Sequence, residues 1–249
     1  MQKKHLISIG ISLSDYHDFV NNIIMLTEHE QRNEYVCVAN AHMLVEAYRH
    51  KDFADMVNNS KITTPDGMSL IWGLRLLYKI KQCRVAGMDL LPDLLAEASK
   101  HKKAVFLYGG TEDILMKTQK YISINYPGIP HVGAYSPPFS PMREKEEEEI
   151  VKMINSSNVG LVFVTLGCPK QERWMAAMKD KINAVMIGVG GALPVLIGLQ
   201  KRAPKWMQKV GLEWFFRFLQ EPLRLWKRYA TTNFMFILLF VKECFSKRE

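Results

Sequence analysis

The chain has 249 residues, 48% hydrophobic and 23% charged, with a net charge of +8. These values suit an ordinary globular core and exclude a disordered chain, a collagen-like repeat and a polytopic membrane protein. The charge is unevenly placed: residues 201–249 hold 11 Lys/Arg against 4 Asp/Glu, whereas the first 200 residues hold 22 against 21.

In chain order, short apolar runs alternate with longer amphipathic stretches. Strands are expected at Leu6–Ile9, Tyr35–Ala39, Ala104–Tyr108, Gly160–Thr165 and Ala184–Val189, most of them continuously apolar, as strands buried on both faces should be. Helices are expected over Asp15–His29, His42–Asn58, Leu90–His101, Glu112–Asn125, Arg143–Asn155 and Gln171–Lys181. The glutamates between Glu144 and Glu149 read as the acidic start of a helix, where the dipole favours negative charge. Strand and helix in alternation predict an α/β fold, a Rossmann-like parallel sheet flanked by helices. The charge division predicts a catalytic domain over residues 1–200 and a basic, aromatic-rich helical appendage over residues 201–249.

Cys37, Cys83, Cys168 and Cys244 lie 46, 85 and 76 residues apart, which fits neither a zinc site nor a CxxC pair. Reduced thiols in a cytosolic protein are the simplest reading. The apolar stretch after His5 is short and broken by Ser8 and Gly10, unlike a secretory signal. The longest apolar run, Phe234 to Val241, is far shorter than the roughly 20 residues needed to cross a bilayer.

In a parallel sheet, ligands bind beyond the carboxyl ends of the strands. Four exits carry polar or glycine residues: Asn40-Ala41-His42, Gly109-Gly110-Thr111, the run from Gly167 to Glu172, and Gly188-Val189-Gly190-Gly191. Glycines there let backbone N–H groups approach phosphate, so a nucleotide or sugar-phosphate ligand is favoured. No GxGxxG follows the first strand, and no GxxxxGK[ST] loop is present. The nine aspartates form no Asp-x-Asp pair of the kind that holds a metal against a sugar nucleotide, so a metal-independent site is expected. Thr63-Thr64-Pro65-Asp66-Gly67-Met68 reads either as a Pro-Asp-Gly turn or as a rigid loop presenting Asp66 as a general base.

Taken in order, Asn40-Ala41, Thr64-Pro65-Asp66-Gly67, Arg84-Val85-Ala86-Gly87, Leu107-Tyr108-Gly109-Gly110, Leu166 to Glu172, Gly188 to Gly191, Arg202-Ala203-Pro204, and Glu213-Trp214-Phe215-Phe216-Arg217 through Glu221-Pro222-Leu223-Arg224 resemble the WecG/TagA/CpsF family of bacterial glycosyltransferases. The resemblance covers nearly the whole chain. It implies inverting, metal-independent transfer of a hexose-type sugar, commonly N-acetylmannosamine or its uronic acid, from a UDP donor to a polyprenyl-diphosphate-linked saccharide. The setting it implies is the cytoplasmic membrane face, in cell-wall or surface polysaccharide synthesis. It makes Asp66 the expected base and puts Asn40 and Gln171 in the pocket, with Lys170 and Arg202 as further candidates. Gly67, Gly109, Gly110 and Gly190 are the expected substrate-binding backbone positions. Val38 stands where a pocket threonine is often found, and Pro194 where an aspartate is common; both bear on donor choice.

At about 100° per residue on an ideal helix, Arg217, Arg224 and Arg228 fall within a stripe of about 40°, a row suited to a diphosphate provided any kink at Pro222 is modest. Trp206, Trp214, Phe215, Phe218, Trp226 and Tyr229 surround these cations, and the apolar run follows. That combination predicts peripheral docking on an anionic membrane surface, and a core-packed helix with a solvated basic face is the plainer alternative. A nucleic-acid partner is not expected, because the rest of the chain is charge-balanced. From the residues alone, a nucleotide-dependent oxidoreductase and a non-catalytic membrane-associated binding protein remain open as other classes. The sequence also leaves homo-oligomer formation open.

Overall fold

A computed structural model describes residues 1–138 and 143–246, with only the backbone of Arg224, Lys227, Arg228 and Ser246. Six strands make a parallel sheet in the order β4-β3-β8-β7-β5-β6. They are β3 Tyr35–Ala39, β4 Ile62–Pro65, β5 Ala104–Tyr108, β6 Val132–Tyr135, β7 Val159–Val164 and β8 Val185–Gly188. The inner strands β3, β8, β7 and β5 are buried along their whole length, which is why they read as continuous apolar runs. The register pairs Val105 with Leu161 and Val132, Val162 with Met186, and Tyr35 with Met186.

By contacts the chain falls into two compact units, residues 1–16, 38–86 and 201–249 in one and residues 17–37 and 87–200 in the other. The chain passes from one unit to the other within β3.

The first unit opens with an antiparallel hairpin, β1 Lys3–Leu6 and β2 Ile9–Ser12. The expected strand at Leu6–Ile9 is therefore corrected: its middle is the turn, with Ile7 at φ 58°. A single apolar run can serve two strands when a two-residue turn divides it, and here Leu6, Ile9 and Ile11 are all buried. The backbone N–H of Thr63 donates to Ser12 Oγ at 3.0 Å, tying β4 to this hairpin. The single helix expected over His42–Asn58 is two, α2 Ala41–Arg49 and α3 Lys51–Asn58, broken at His50 (φ −129°, ψ 103°). No Gly or Pro marks that break; each helix buries its own apolar face, Met43 and Leu44 in one, Phe53 and Val57 in the other. Helix α4, Met68–Tyr78, follows β4. Within it Gly73 allows close approach, because a Cβ there would lie 3.1 Å from Leu6 Cδ1 and 3.3 Å from Phe240 Cε2.

The second unit carries α1 Tyr16–Leu26 from its second residue onward, then α5 Gly87–Lys100, α6 Glu112–Asn125, α7 Glu144–Ser156, α8 Lys170–Met178 and α9 Ala192–Leu196. Helix α6 matches the expected limits and is capped by Thr111, whose hydroxyl accepts from Ile114 N. The acidic start expected for α7 is present: Glu146 accepts from the Arg143 backbone N–H at 2.9 Å and pairs with its guanidinium. Strands β4 and β6 went unforeseen because both are short edge strands, one ending in Pro65 and the other only half buried, so neither leaves an apolar run.

The described part of the tail, residues 201–246, holds α10 Lys205–Lys209, α11 Glu213–Gln220 and α12 Pro222–Ser246. Glu221 is non-helical (φ −137°, ψ 60°), so the ideal-helix stripe does not run from Arg217 to Arg224. Proline at the first position of α12 explains the break. Arg224 and Arg228 remain one turn apart on α12, though their side chains lie outside the described residues.

Phe163 is fully buried in the middle of β7. Replacing it with Ala should lower the unfolding free energy by about 3–5 kcal/mol, read from urea denaturation.

Candidate active site

In the first unit, the exit of β4 is laced to its neighbours by backbone hydrogen bonds. Ala39 O accepts from Asp66 N at 2.8 Å and from Gly67 N at 3.4 Å, so the ends of β3 and β4 are joined at the position of Asp66. Pro65 O accepts from Val85 N at 2.9 Å, and Thr64 Oγ1 donates to Val85 O at 3.2 Å, which brings the next residue, Arg84, beside Asp66. Gly67 has an ordinary backbone (φ −80°, ψ 136°). Its value is closeness, since a Cβ would sit 3.6 Å from Asn40 Cα and Cβ. Asn40 caps α2, its Oδ1 accepting from His42 N and Met43 N at 3.0 and 3.2 Å. That engages its side-chain carbonyl in the cap.

Asp66 lies in a cluster of charges. Arg84 Nε donates to Asp66 O at 2.7 Å, and Arg84 Nη2 stands 3.5 Å from Asp66 Oδ1. The same Nη2 makes a short contact with Glu213 Oε2, and Glu213 Oε1 faces Arg202 Nε at 3.5 Å. Arg217 carries a buried Nε with no hydrogen-bond partner among the described residues. Asp66 is 26% exposed. Burial pushes its carboxyl pKa above the usual range; Arg84 pulls it down, Glu213 pushes it up and Arg217 pulls it down. Burial wins, so the carboxylate is more basic than one in water.

The strand exits of the second unit are built from glycine. Gly109 (φ 102°), Gly110 (φ 86°), Gly167 (φ 79°) and Gly190 (φ 54°) all adopt left-handed backbone, where a side chain would be strained. Gln171 joins two of these exits: its Oε1 accepts from Gly167 N and Gly190 N, each at 3.2 Å. Its Nε2 donates to Glu172 Oε1 at 2.7 Å. At 4% exposure with both ends of the amide engaged, Gln171 is a brace between the β7 and β8 exits. Lys170 is exposed at the start of α8. Tyr108 stacks on Trp174 at 3.9 Å between ring centroids and closes the end of β5.

The tail takes part in the first unit. Gln220 Nε2 donates to Lys201 O, and Gln208 Nε2 to Ala203 O. Trp214 and Phe218 both meet Tyr229 edge-on, packing α11 on α12. Helix α12 lies on α2, where His42 Nδ1 and Thr232 Oγ1 are 3.3 Å apart. One face of α12, with Leu225, Thr232, Phe236 and Leu239, is buried. Along the rest, Phe234, Ile237, Leu238, Val241 and Phe245 are exposed. Among the described residues no helix is long and apolar enough to cross a membrane.

Residues 4–249 match the sequence profile described as the glycosyl transferase WecG/TagA/CpsF family. The chain belongs to this family. It is a glycosyltransferase, which removes the oxidoreductase and the non-catalytic binding protein from consideration. Three relatives are named N-acetylglucosaminyldiphosphoundecaprenol N-acetyl-beta-D-mannosaminyltransferase. The Bacillus subtilis (strain 168) protein is 35% identical over 78% of this chain and 73% of its own length. The Bacillus spizizenii protein is 30% identical over 92% and 87%, and the Staphylococcus aureus (strain MW2) protein 28% over 87% and 84%.

The family's blocks thus gather Asn40, Asp66, Gly67, Arg202 and Arg217 in one unit, and Gly109, Gly110, Lys170, Gln171 and Gly190 in the other. Two charged residues of the Asp66 cluster were not singled out from sequence, Arg84 and Glu213. Both stood inside the quoted blocks, and the signal available was their place beside Val85-Ala86-Gly87 and Trp214-Phe215.

Glu172 is fully buried, and its Oε2 has no hydrogen-bond partner among the described residues. Burial raises its pKa above the ordinary 4.5, with hydrogen bonds from Gln171 and Cys168 acting in the opposite direction. A carboxyl with a raised folded-state pKa contributes its full stability below the unfolded value and loses it as pH climbs toward the folded value. Glu172→Gln mimics the protonated acid. Its stability relative to wild type should therefore rise as pH climbs above the ordinary 4.5, measured by urea unfolding, and parallel pH profiles would refute the assignment.

Proposed function

We propose that this glycosyltransferase moves a hexose-type sugar, N-acetylmannosamine or a close relative, from UDP to a polyprenyl-diphosphate-linked saccharide at the cytoplasmic face of the membrane. The observation that carries this reading is Asp66: a largely desolvated carboxylate at a strand exit, with Arg84, Arg202 and Arg217 gathered about it. The named acceptor of the three relatives, a diphosphate-linked N-acetylglucosamine on undecaprenol, supplies the substrate class.

In the proposed reaction the acceptor hydroxyl attacks the anomeric carbon from the face opposite UDP. Asp66 removes the hydroxyl proton as the new glycosidic bond forms, and the bond to the UDP oxygen breaks with inversion. A raised pKa suits this task, since a stronger base takes more of the proton in the transition state. The buried, unpartnered Nε of Arg217 is a guanidinium donor ready for an anionic oxygen, and with Arg224 and Arg228 it is assigned to the acceptor diphosphate. Asn40 and the backbone of Gly67 are assigned to substrate contact beside the base. Gly109, Gly110 and Gly190 are assigned to the nucleotide as side-chain-free turns that let it approach the backbone, the N–H groups of Gly109 and Gly190 being held by Tyr135 O and Gln171 Oε1; Lys170 adds a cation, and Gln171 acts by fixing Gly167 and Gly190. No metal is assigned to the step, in keeping with the lack of an Asp-x-Asp pair, and turnover is expected to survive EDTA.

The exposed apolar residues of α12 and the +7 balance of the last 49 residues support peripheral docking on anionic lipid.

With a synthetic polyprenyl-diphosphate N-acetylglucosamine acceptor and a panel of UDP-sugars, product mass identifies the donor. In that assay Asp66→Asn should lower turnover by on the order of 100-fold or more while donor binding survives, and an unchanged rate would overturn the base assignment. Replacing Phe234, Ile237 and Val241 together by Ser should weaken binding to phosphatidylglycerol vesicles by about 10-fold or more in flotation assays. These side chains are 67%, 59% and 46% exposed, so the fold should survive the change.

A further inference from the structure

Arg84 is shared unequally. Its Nε is anchored on the backbone oxygen of Asp66, at 2.7 Å, and its Nη2 leans to Glu213 Oε2, leaving 3.5 Å to Asp66 Oδ1. A guanidinium beside a carboxylate can close a two-pronged ion pair, which ordinarily lowers the acid's pKa by about 1–3 units and would spoil a base. Here the pair is held open. Glu213 is only 13% exposed, and its second oxygen is held by Arg202 Nε at 3.5 Å, so its carboxylate is fixed from both sides.

We propose that Glu213 is a positioning residue for the general base: by holding Arg84 on its own carboxylate, it keeps that guanidinium from closing on Asp66. This rests on the reading of Asp66 as the base. Among the described residues, the charged groups facing Asp66 are Arg84 from the segment after α4, and Glu213 and Arg217 from α11, with Arg202 behind Glu213. Glu213 lies 129 residues beyond Arg84 in sequence, so the strength of the base depends on a contact made by the C-terminal segment. Glu213 touches Asp66 through Arg84 and takes no part in bond making.

The test is the pH dependence of kcat/KM on the lipid-linked acceptor. In Glu213→Gln, Arg84 is released to Asp66, so the acid limb should move down by about half a pH unit or more, and the plateau should fall about 3- to 10-fold. Glu213→Asp, which keeps the charge, should hold the limb near its wild-type position. Carbon-13 NMR titration of the Asp66 carboxyl in the substrate-free protein should show the same downward shift, independently of turnover. If Glu213→Gln does not fold, Arg202→Gln decides. With its second partner gone, Glu213 should hold Arg84 more firmly and the limb should rise. A limb that stays in place or moves upward in Glu213→Gln, or fails to rise in Arg202→Gln, overturns the proposal. Asp66→Asn separates the two readings: loss of the limb upholds Asp66 as the base, and a limb that persists there overturns the base reading and this inference with it.

Discussion

One guanidinium, that of Arg84, lies between the carboxylates of Asp66 and Glu213. Such an arrangement is costly to build, since each charge loses hydration on burial, and it persists only where hydrogen bonds and neighbouring charges offset that loss. Arg84 has both. Its Nε finds a backbone carbonyl, and Val85 beside it is stitched to β4 through Pro65 and Thr64. The strand exit, the segment after α4 and the first turn of α11 are joined at this one side chain. The contacts of Asp66 and of the start of α11 therefore meet at one side chain, while burial sets the direction in which the Asp66 pKa moves.

The glycine exits of the second unit solve a different problem. Left-handed turns at Gly109, Gly110, Gly167 and Gly190 need residues without a side chain. Loops of this kind would be mobile without support. Gln171 supplies it by spending both halves of its amide on the loops and on Glu172, and a Cβ on Gly188 would approach its Nε2 to 2.8 Å, so the brace is packed tightly. The neutral form of Glu172 favoured by burial fits this role, because desolvation outweighs the hydrogen bonds from Gln171 and Cys168 that would favour the charge.

The C-terminal segment is amphipathic in two senses. Along α12 it buries Leu225, Thr232, Phe236 and Leu239 and presents Phe234, Ile237, Val241 and Phe245 outward. Along the chain it begins with residues that serve the charge cluster, Arg202, Glu213 and Arg217, and continues into the apolar helix. Trp214 and Phe218 both meet Tyr229 edge-on, while Trp206, Trp226 and Phe234 are exposed, as Trp214 also is in part.

Much of this was legible in the sequence. Strands buried on both faces announce themselves as apolar runs, so β3 and β5 were placed to the residue, and the capping Thr111 with two acidic followers delimited α6. The ordered blocks also identified the family, because their residues sit at strand exits and turns that can be read locally along the chain. Tertiary structure decided what depends on long-range proximity. The hairpin at Ile7, the break at His50 and the edge strands carry no local signature, since their stability comes from packing against distant residues. Arg84 and Glu213 are ordinary surface charges in the sequence, and only folding across 129 residues turns them into a shared ion pair beside Asp66. A carboxylate's place in the chain is written locally; its basicity is a property of the charges and solvent that the fold arranges around it.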